Sequence, residues 1–186
     1  YNKIHFCVEQ AARDGLEYCW VDTCCIDKSS YTLIEEAIRR MFYRYRGAEK
    51  CYVYLSDISI GEAKSIEEAP RGWESDFRKS TWFTRIWTLQ EALAPKEVEF
   101  FSAERVWLGD KTTLDALLHQ TMKVPRQVLR RADMMTFSIE EKFSWGKDRT
   151  AGVEEDMAYS IMGLFNVTTM GINYGEGSQA LFRLRE

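Results

Sequence analysis

Two short runs of β-formers, Tyr18-Cys19-Trp20-Val21 and Cys51-Tyr52-Val53-Tyr54-Leu55, stand on either side of one amphipathic helix, and this spacing constrains the fold most. Ile34, Ala37, Ile38, Met41, Phe42 and Tyr45 recur at helical spacing between the runs, with Ser29 or Ser30 to cap the start and Gly47 to close the end. Strand, helix and strand with short joins predict a right-handed parallel crossover, hence an α/β fold built on a parallel sheet. Ligands of such sheets gather at the carboxyl ends of the strands. Asp22 and the loop to Asp27 follow the first run, and Ser56 and Asp57 follow the second, so these positions are the first candidates for a site.

The rest of the pattern supplies helices and a third strand. Ile4, Cys7, Val8 and Ala11 predict an opening helix that stops at Gly15. Glu97-Val98-Glu99-Phe100-Phe101 alternates as a strand nearer an edge. Ile58 to Lys79 is long, polar and without period, and reads as a mobile loop or lid. Leu114, Leu117 and Leu118, then Pro125, open covering helices; Ser138 with Glu141 has capping-box spacing; Met157, Ile161, Met162 and Phe165 mark another helix, and Ser178 to Glu186 a last one.

Composition narrows the function classes. The 186 residues are 45% hydrophobic, enough for one domain with a sizeable core. A net charge of −4 provides no general attraction to nucleic acid or anionic membrane. The run Arg39, Arg40, Arg44 and Arg46 reads as the solvated side of its helix. No stretch reaches the roughly 18 to 20 apolar residues of a membrane span. Five cysteines, two of them adjacent, read as reduced thiols in a cytoplasmic compartment and as small buried hydrophobes. With no C-x-x-C pair and only His5 and His119 to add imidazole, neither a zinc site nor a Cys-His nucleophile is expected.

The most unusual local pattern is Ser80 to Pro95. It places Trp87 and Glu91 four residues apart on one helix, an indole beside a carboxylate, which suits a flat, cationic, sugar-linked substrate better than it suits a plain core or a plain solvated face. The bland alternatives are a solvated carboxylate for Glu91 and a core anchor for Trp87; Trp82 and Trp20 read as core. Arg85 could meet a phosphate or an acid of its own chain.

Four blocks then carry a resemblance: Trp20-Val21-Asp22-Thr23-Cys24-Cys25-Ile26-Asp27-Lys28, Trp82 through Glu91, Glu155-Asp156-Met157-Ala158-Tyr159 and Tyr174-Gly175-Glu176-Gly177. In this order they closely resemble the HET (heterokaryon incompatibility) domain of filamentous fungi, over nearly all of residues 1–186. The resemblance implies a cell-death domain, often the effector end of a nucleotide-binding, oligomerising NLR-type receptor. It also implies a strand with a Leu-Ser-His-x-Trp-Gly-like motif ahead of the first helix, which this chain lacks.

HET domains in turn look like remote relatives of TIR domains, which implies a flavodoxin-like parallel sheet flanked by helices, with additional helices at the C-terminal end. Trp87 and Glu91 resemble the aromatic residue and catalytic Glu of NAD-cleaving TIR enzymes, with Thr88 and Ala92 departing from the usual neighbours of that pair. By this resemblance Glu91 is catalytic, Trp87 stacks on the nicotinamide, and Asp22, Asp27, Ser56 and Arg85 position ribose or phosphates of NAD, a substrate and not a cofactor. Activation by self-association is implied with it. The rival expectation is a non-enzymatic interaction module. A cavity that holds both Trp87 and Glu91 favours the enzyme, and Glu91 locked to an arginine with no cavity beside it favours the module.

Overall fold

The computed structural model describes residues 2–186 and is an α/β arrangement around a three-stranded mixed sheet of order β1-β2-β3. Strand β1 (Lys50–Tyr54) pairs in parallel with β2 (Glu97–Phe101), with Val53 opposite Phe100, and β2 pairs antiparallel with β3 (Trp107–Asp110) across a bulge at Phe100/Phe101. The sheet is therefore not purely parallel, and β2, expected near an edge, is its middle strand. Strand β3 carries only four residues around Gly109, too short a run to stand out as a strand in the sequence.

Helix α1 (Asn2–Arg13) ends as its sequence predicts. Gly15 takes a left-handed φ of 74°, and the N–H groups of Gly15 and Leu16 return to the carbonyls of Ala12 and Ala11. The helix lays Phe6 on one face of the sheet, against Tyr52, Tyr54 and Phe101. The opposite face receives α3 (Tyr31–Gly47) and α5 (Thr88–Leu93), which pack on each other and bury Ile38, Phe42, Leu89, Ala92 and Leu93. Arg39 and Arg40 ion-pair with Glu35 and Glu36 one turn away, which makes them the solvated side expected of α3.

The first β-run is not a strand. Tyr18 is 86% exposed, and only Val21 of the four is fully buried. Instead of entering a ladder, the Val21 carbonyl accepts from the N–H groups of Cys24 and Cys25 and so starts a one-turn helix, α2 (Asp22–Cys25). High β-propensity makes a strand only where a neighbouring strand supplies hydrogen bonds, and among the described residues none lies alongside this run.

The stretch Ile58 to Lys79 is likewise packed and not a free loop. Ile58 and Ile60 are buried, α4 (Trp73–Lys79) buries Phe77 completely, and Phe77 meets Phe83 and Phe100. Glu104, in the β2–β3 turn, accepts from the Ser59 hydroxyl and the Ile60 N–H. Burial pushes that carboxyl up, but these bonds with one from Ser102 outweigh it and hold it at about 2. Apolar residues spaced irregularly through a polar stretch conceal such packing from any periodicity.

The C-terminal part forms α6 (Asp115–Met122), α7 (Arg126–Leu129), α8 (Ile139–Ser144), α9 (Asp156–Tyr159) and α10 (Gln179–Arg185). The Ser138/Glu141 capping box is present, with both reciprocal bonds made. The helix expected from Met157 to Phe165 is broken into α9 and a separate 3-10 turn at Met162–Phe165. There Gly163 lies so close to α3 that an added Cβ would sit 2.3 Å from Cβ of Phe42. Gly163→Ala is expected to cost about 1–3 kcal/mol by overpacking, read as a lower urea midpoint with unchanged slope.

Candidate active site

Glu91 is carried by α5 at the carboxyl end of β1, between two cavities that it borders on both sides. Trp82, in the 3-10 turn Thr81–Thr84, donates its Nε1–H to Glu91 Oε2 at 3.1 Å. Among the described residues no lysine or arginine forms an ion pair with Glu91. Burial pushes its carboxyl pKa up, opposed by Lys3, by the Trp82 hydrogen bond and by Arg85. The Tyr45 hydroxyl is pushed up in turn, first by its own burial and then by the charge of Glu91. A desolvated, partly buried carboxylate with a hydrogen bond from one indole and no ion pair among the described residues is costly to the fold, so its environment favours a function over stability.

Two cations stand nearby. Lys3 borders both cavities and lies 3.7 Å from Asp22. Arg149 is buried behind α5, donating from one guanidinium nitrogen to the Arg85 carbonyl (2.9 Å) and the Thr88 hydroxyl (2.8 Å). Burial lowers its pKa to about 10, with the charge of Glu91 working against the fall. Arg149 thus braces the start of the helix that carries Glu91.

The larger cavity, of ≈ 670 Å3, takes its lining from both faces of β1: Lys50, Tyr52 and Tyr54 from one and Cys51 from the other. A cavity that touches both faces of a strand runs along its edge, and among the described residues β1 is paired only with β2. Trp20, Asp22 and Tyr45 form its far wall. Trp20 is only half-buried, set edge-on to Tyr45 under the Arg44 guanidinium, so it is a cavity wall and not the core anchor expected of it. The smaller cavity, of ≈ 450 Å3, is polar and lies between Ser56 and Asp57 after β1 and Thr81, Trp82 and Arg85. Both oxygens of Asp57 are occupied, by the Ser80 hydroxyl and by the N–H and hydroxyl of Thr81, which fixes the turn that presents Trp82.

Of the sequence-predicted residues, the structure gathers Glu91, Asp22, Ser56 and Arg85 around these two cavities. Trp87 and Asp27 line neither. Trp87 stands one turn before Glu91, at the N-cap of α5, yet its Nε1–H donates to Asp156 Oδ2 at 2.8 Å, which ties it to α9. Asp27 is exposed, and its carboxyl is held low by the hydroxyl and N–H of Ser29. Lys3, Tyr45 and Arg149 were not expected at the site; Arg149 belongs to the C-terminal residues typical of the resemblance, for which the sequence gives no chemical role. Trp82 sits in a recognised block, but there it read as core.

The two C-terminal blocks hold each other. Asp156 takes Trp87 Nε1–H on one oxygen and the Tyr174 hydroxyl on the other, at 2.8 and 2.9 Å. Glu155 accepts from the N–H groups of Gly177 and Gly175, which keep its carboxyl low, and Glu176 accepts from Tyr159 and Arg183. Only Glu176–Arg183 of these contacts is an ion pair; the others are hydrogen bonds that fasten the two blocks together. All five cysteines are free, and burial pushes the Cys7 thiol up to about 12. The described residues hold no cluster fit for a metal ion and no helix long and apolar enough to cross a membrane.

Residues 1–72 match the family model described as "Heterokaryon incompatibility protein (HET)". Over its whole length the chain is 49% identical to the vegetative incompatibility protein HET-E-1 of Podospora anserina, of which it spans 14%. No solved structure matches it. With two of the four motif blocks clasping each other and the other two lining the cavities around Glu91, this chain is a relative of the HET (heterokaryon incompatibility) proteins.

Proposed function

We propose that residues 1–186 form one HET domain, a cell-death effector of fungal vegetative incompatibility, acting as a TIR-like NAD glycohydrolase on a flavodoxin-like core. The observation that carries this reading is Glu91, a partly buried carboxylate with a raised pKa and a hydrogen bond from the Trp82 indole, lining two cavities. In the reaction, the bond between ribose C1′ and the nicotinamide nitrogen breaks, its electron pair neutralises the ring cation, and water adds to C1′ and releases a proton. Ionised Glu91 stabilises the sugar cation that develops. Trp82, not Trp87, supplies the aromatic surface, because Trp82 is the indole beside Glu91.

The open edge of β1 belongs, in the same reading, to the strand that the HET resemblance places ahead of α1. Helix α1 starts near the carboxyl end of β1, where Asn2 and Lys3 line the smaller cavity together with Ser56, so a parallel strand leaving the larger cavity arrives at its first turn. Self-association, driven by an attached or associated NLR-type sensor, then orders the site and removes that cost from each turnover.

The test is nicotinamide release from NAD by the domain, dilute and then clustered on a multivalent support, beside Glu91→Gln. Release by clustered wild type and none by the variant supports the enzyme. Clustered, folded protein that releases nothing leaves the non-enzymatic module.

A further inference from the structure

The polar cavity beside Glu91 carries two cations, Arg85 and Lys3, that the fold engages little or not at all, in a chain whose net charge is −4. Arg85 has a pinned backbone: its carbonyl accepts from Thr88 and Arg149, and the flanking Thr84 and Ile86 exchange hydrogen bonds with Thr150. Its side chain, in contrast, is exposed, and among the described residues its guanidinium has no hydrogen-bond or ion-pair partner. Lys3, half exposed, has one loose contact, to Asp22 at 3.7 Å. Both cations pull the Glu91 carboxyl down, so their charges converge on the same point. Ser56 lines the same space, while Asp57, the other acid there, has both oxygens engaged by Ser80 and Thr81.

We propose that Lys3 and Arg85 form a phosphate clamp beside Glu91, so that the site takes a phosphorylated nucleotide in preference to a free nucleoside. The inference rests on Glu91 facing the bond that breaks, and it adds which substrates can reach that carboxylate. A guanidinium on a fixed backbone presents a rigid fork to phosphate oxygens, and the flexible ammonium that lines the same cavity can swing to meet the group. A cavity of ≈ 450 Å3 holds a diphosphate with part of a sugar.

Two readouts separate the clamp from the reading of Glu91. The first is calorimetric binding of inorganic pyrophosphate at low salt to wild type, to the Lys3→Ala/Arg85→Ala double variant and to Glu91→Gln, each checked for an intact melting transition. Wild type is expected to bind, the double variant to bind roughly tenfold or more weakly, and Glu91→Gln to bind at least as tightly as wild type. The second compares turnover of NAD with that of nicotinamide riboside, which lacks phosphate. The double substitution is expected to raise KM for NAD by roughly tenfold or more and to affect the riboside much less.

Pyrophosphate that fails to bind folded wild type, or binds the double variant equally well, overturns the clamp even if NAD is cleaved. Pyrophosphate binding that needs Lys3 and Arg85, in a protein that cleaves nothing when clustered, leaves the clamp standing and removes the reading of Glu91.

Discussion

Glu91→Gln is expected to release no nicotinamide from NAD and, at neutral pH, to melt a few degrees higher than wild type. Desolvation raises the Glu91 pKa in the folded state, so the folded protein holds that proton more tightly than the unfolded chain does. A group shifted this way contributes stability that is fully present below its unfolded pKa and is lost as pH rises through the folded pKa. Glutamine mimics the protonated form at every pH and still offers an oxygen to Trp82. The two proteins should therefore melt together near pH 4 and separate above it, with the variant ahead at pH 7. In a domain of 186 residues, about 1 kcal/mol corresponds to about 2–4 °C. Wild type itself loses stability in acid because carboxyls such as Glu104 and Asp57 are held low by hydrogen bonds, so the difference between the two proteins is the quantity to follow by calorimetry. A variant that melts lower at pH 7 would make Glu91 a structural anion and remove the main support for the enzyme.

Phe100→Ala is expected to be the most destabilising single substitution around the site, by about 3–5 kcal/mol, or roughly 6–20 °C in a domain of this size. Phe100 is completely buried in the middle strand, with ring centroids 5.5 Å from Phe77 and 5.7 Å from Trp82. Truncation opens a cavity beneath three aromatic rings, Phe83 included, that the surrounding helices cannot close without moving. It also removes the surface on which Trp82 rests. In urea the midpoint should fall sharply, and at temperatures where the variant remains folded the turnover of NAD should fall with it. A loss below about 1 kcal/mol would mean that α4 and the Trp82 turn are not held by this ring cluster. Trp20→Ala should cost less than Phe100→Ala, because Trp20 already faces a cavity on one side.

The C-terminal blocks illustrate why a motif can be legible and its purpose not. Asp156, Tyr174 and Trp87 are separated by up to 87 positions, and nothing local in any of them points to the others. Only their meeting makes Trp87 a tie to α9, and so frees the indole of Trp82 to be the one at the carboxylate. The four-residue spacing predicts Trp87 and Glu91 one helical turn apart on a shared face; the turn is there, but the side chains go to different partners from elsewhere in the chain.

What the sequence determined by itself is local or carried by long regular patterns. The stripe of α3, the Gly15 stop of α1, the capping box of α8, the strands at Cys51 and Glu97 and the importance of the Trp82–Glu91 block all follow from periodicity, caps and motif. What only the tertiary structure decided depends on pairing. It removed the Tyr18–Val21 strand, moved β2 to the centre, added the short antiparallel β3, packed Ile58 to Lys79, and brought Lys3, from the first helix, to Glu91. The physical reason is common to all of these. A helix satisfies its own hydrogen bonds and shows its buried face in its own sequence, whereas a strand, a cavity wall or a charge cluster exists only through residues distant along the chain.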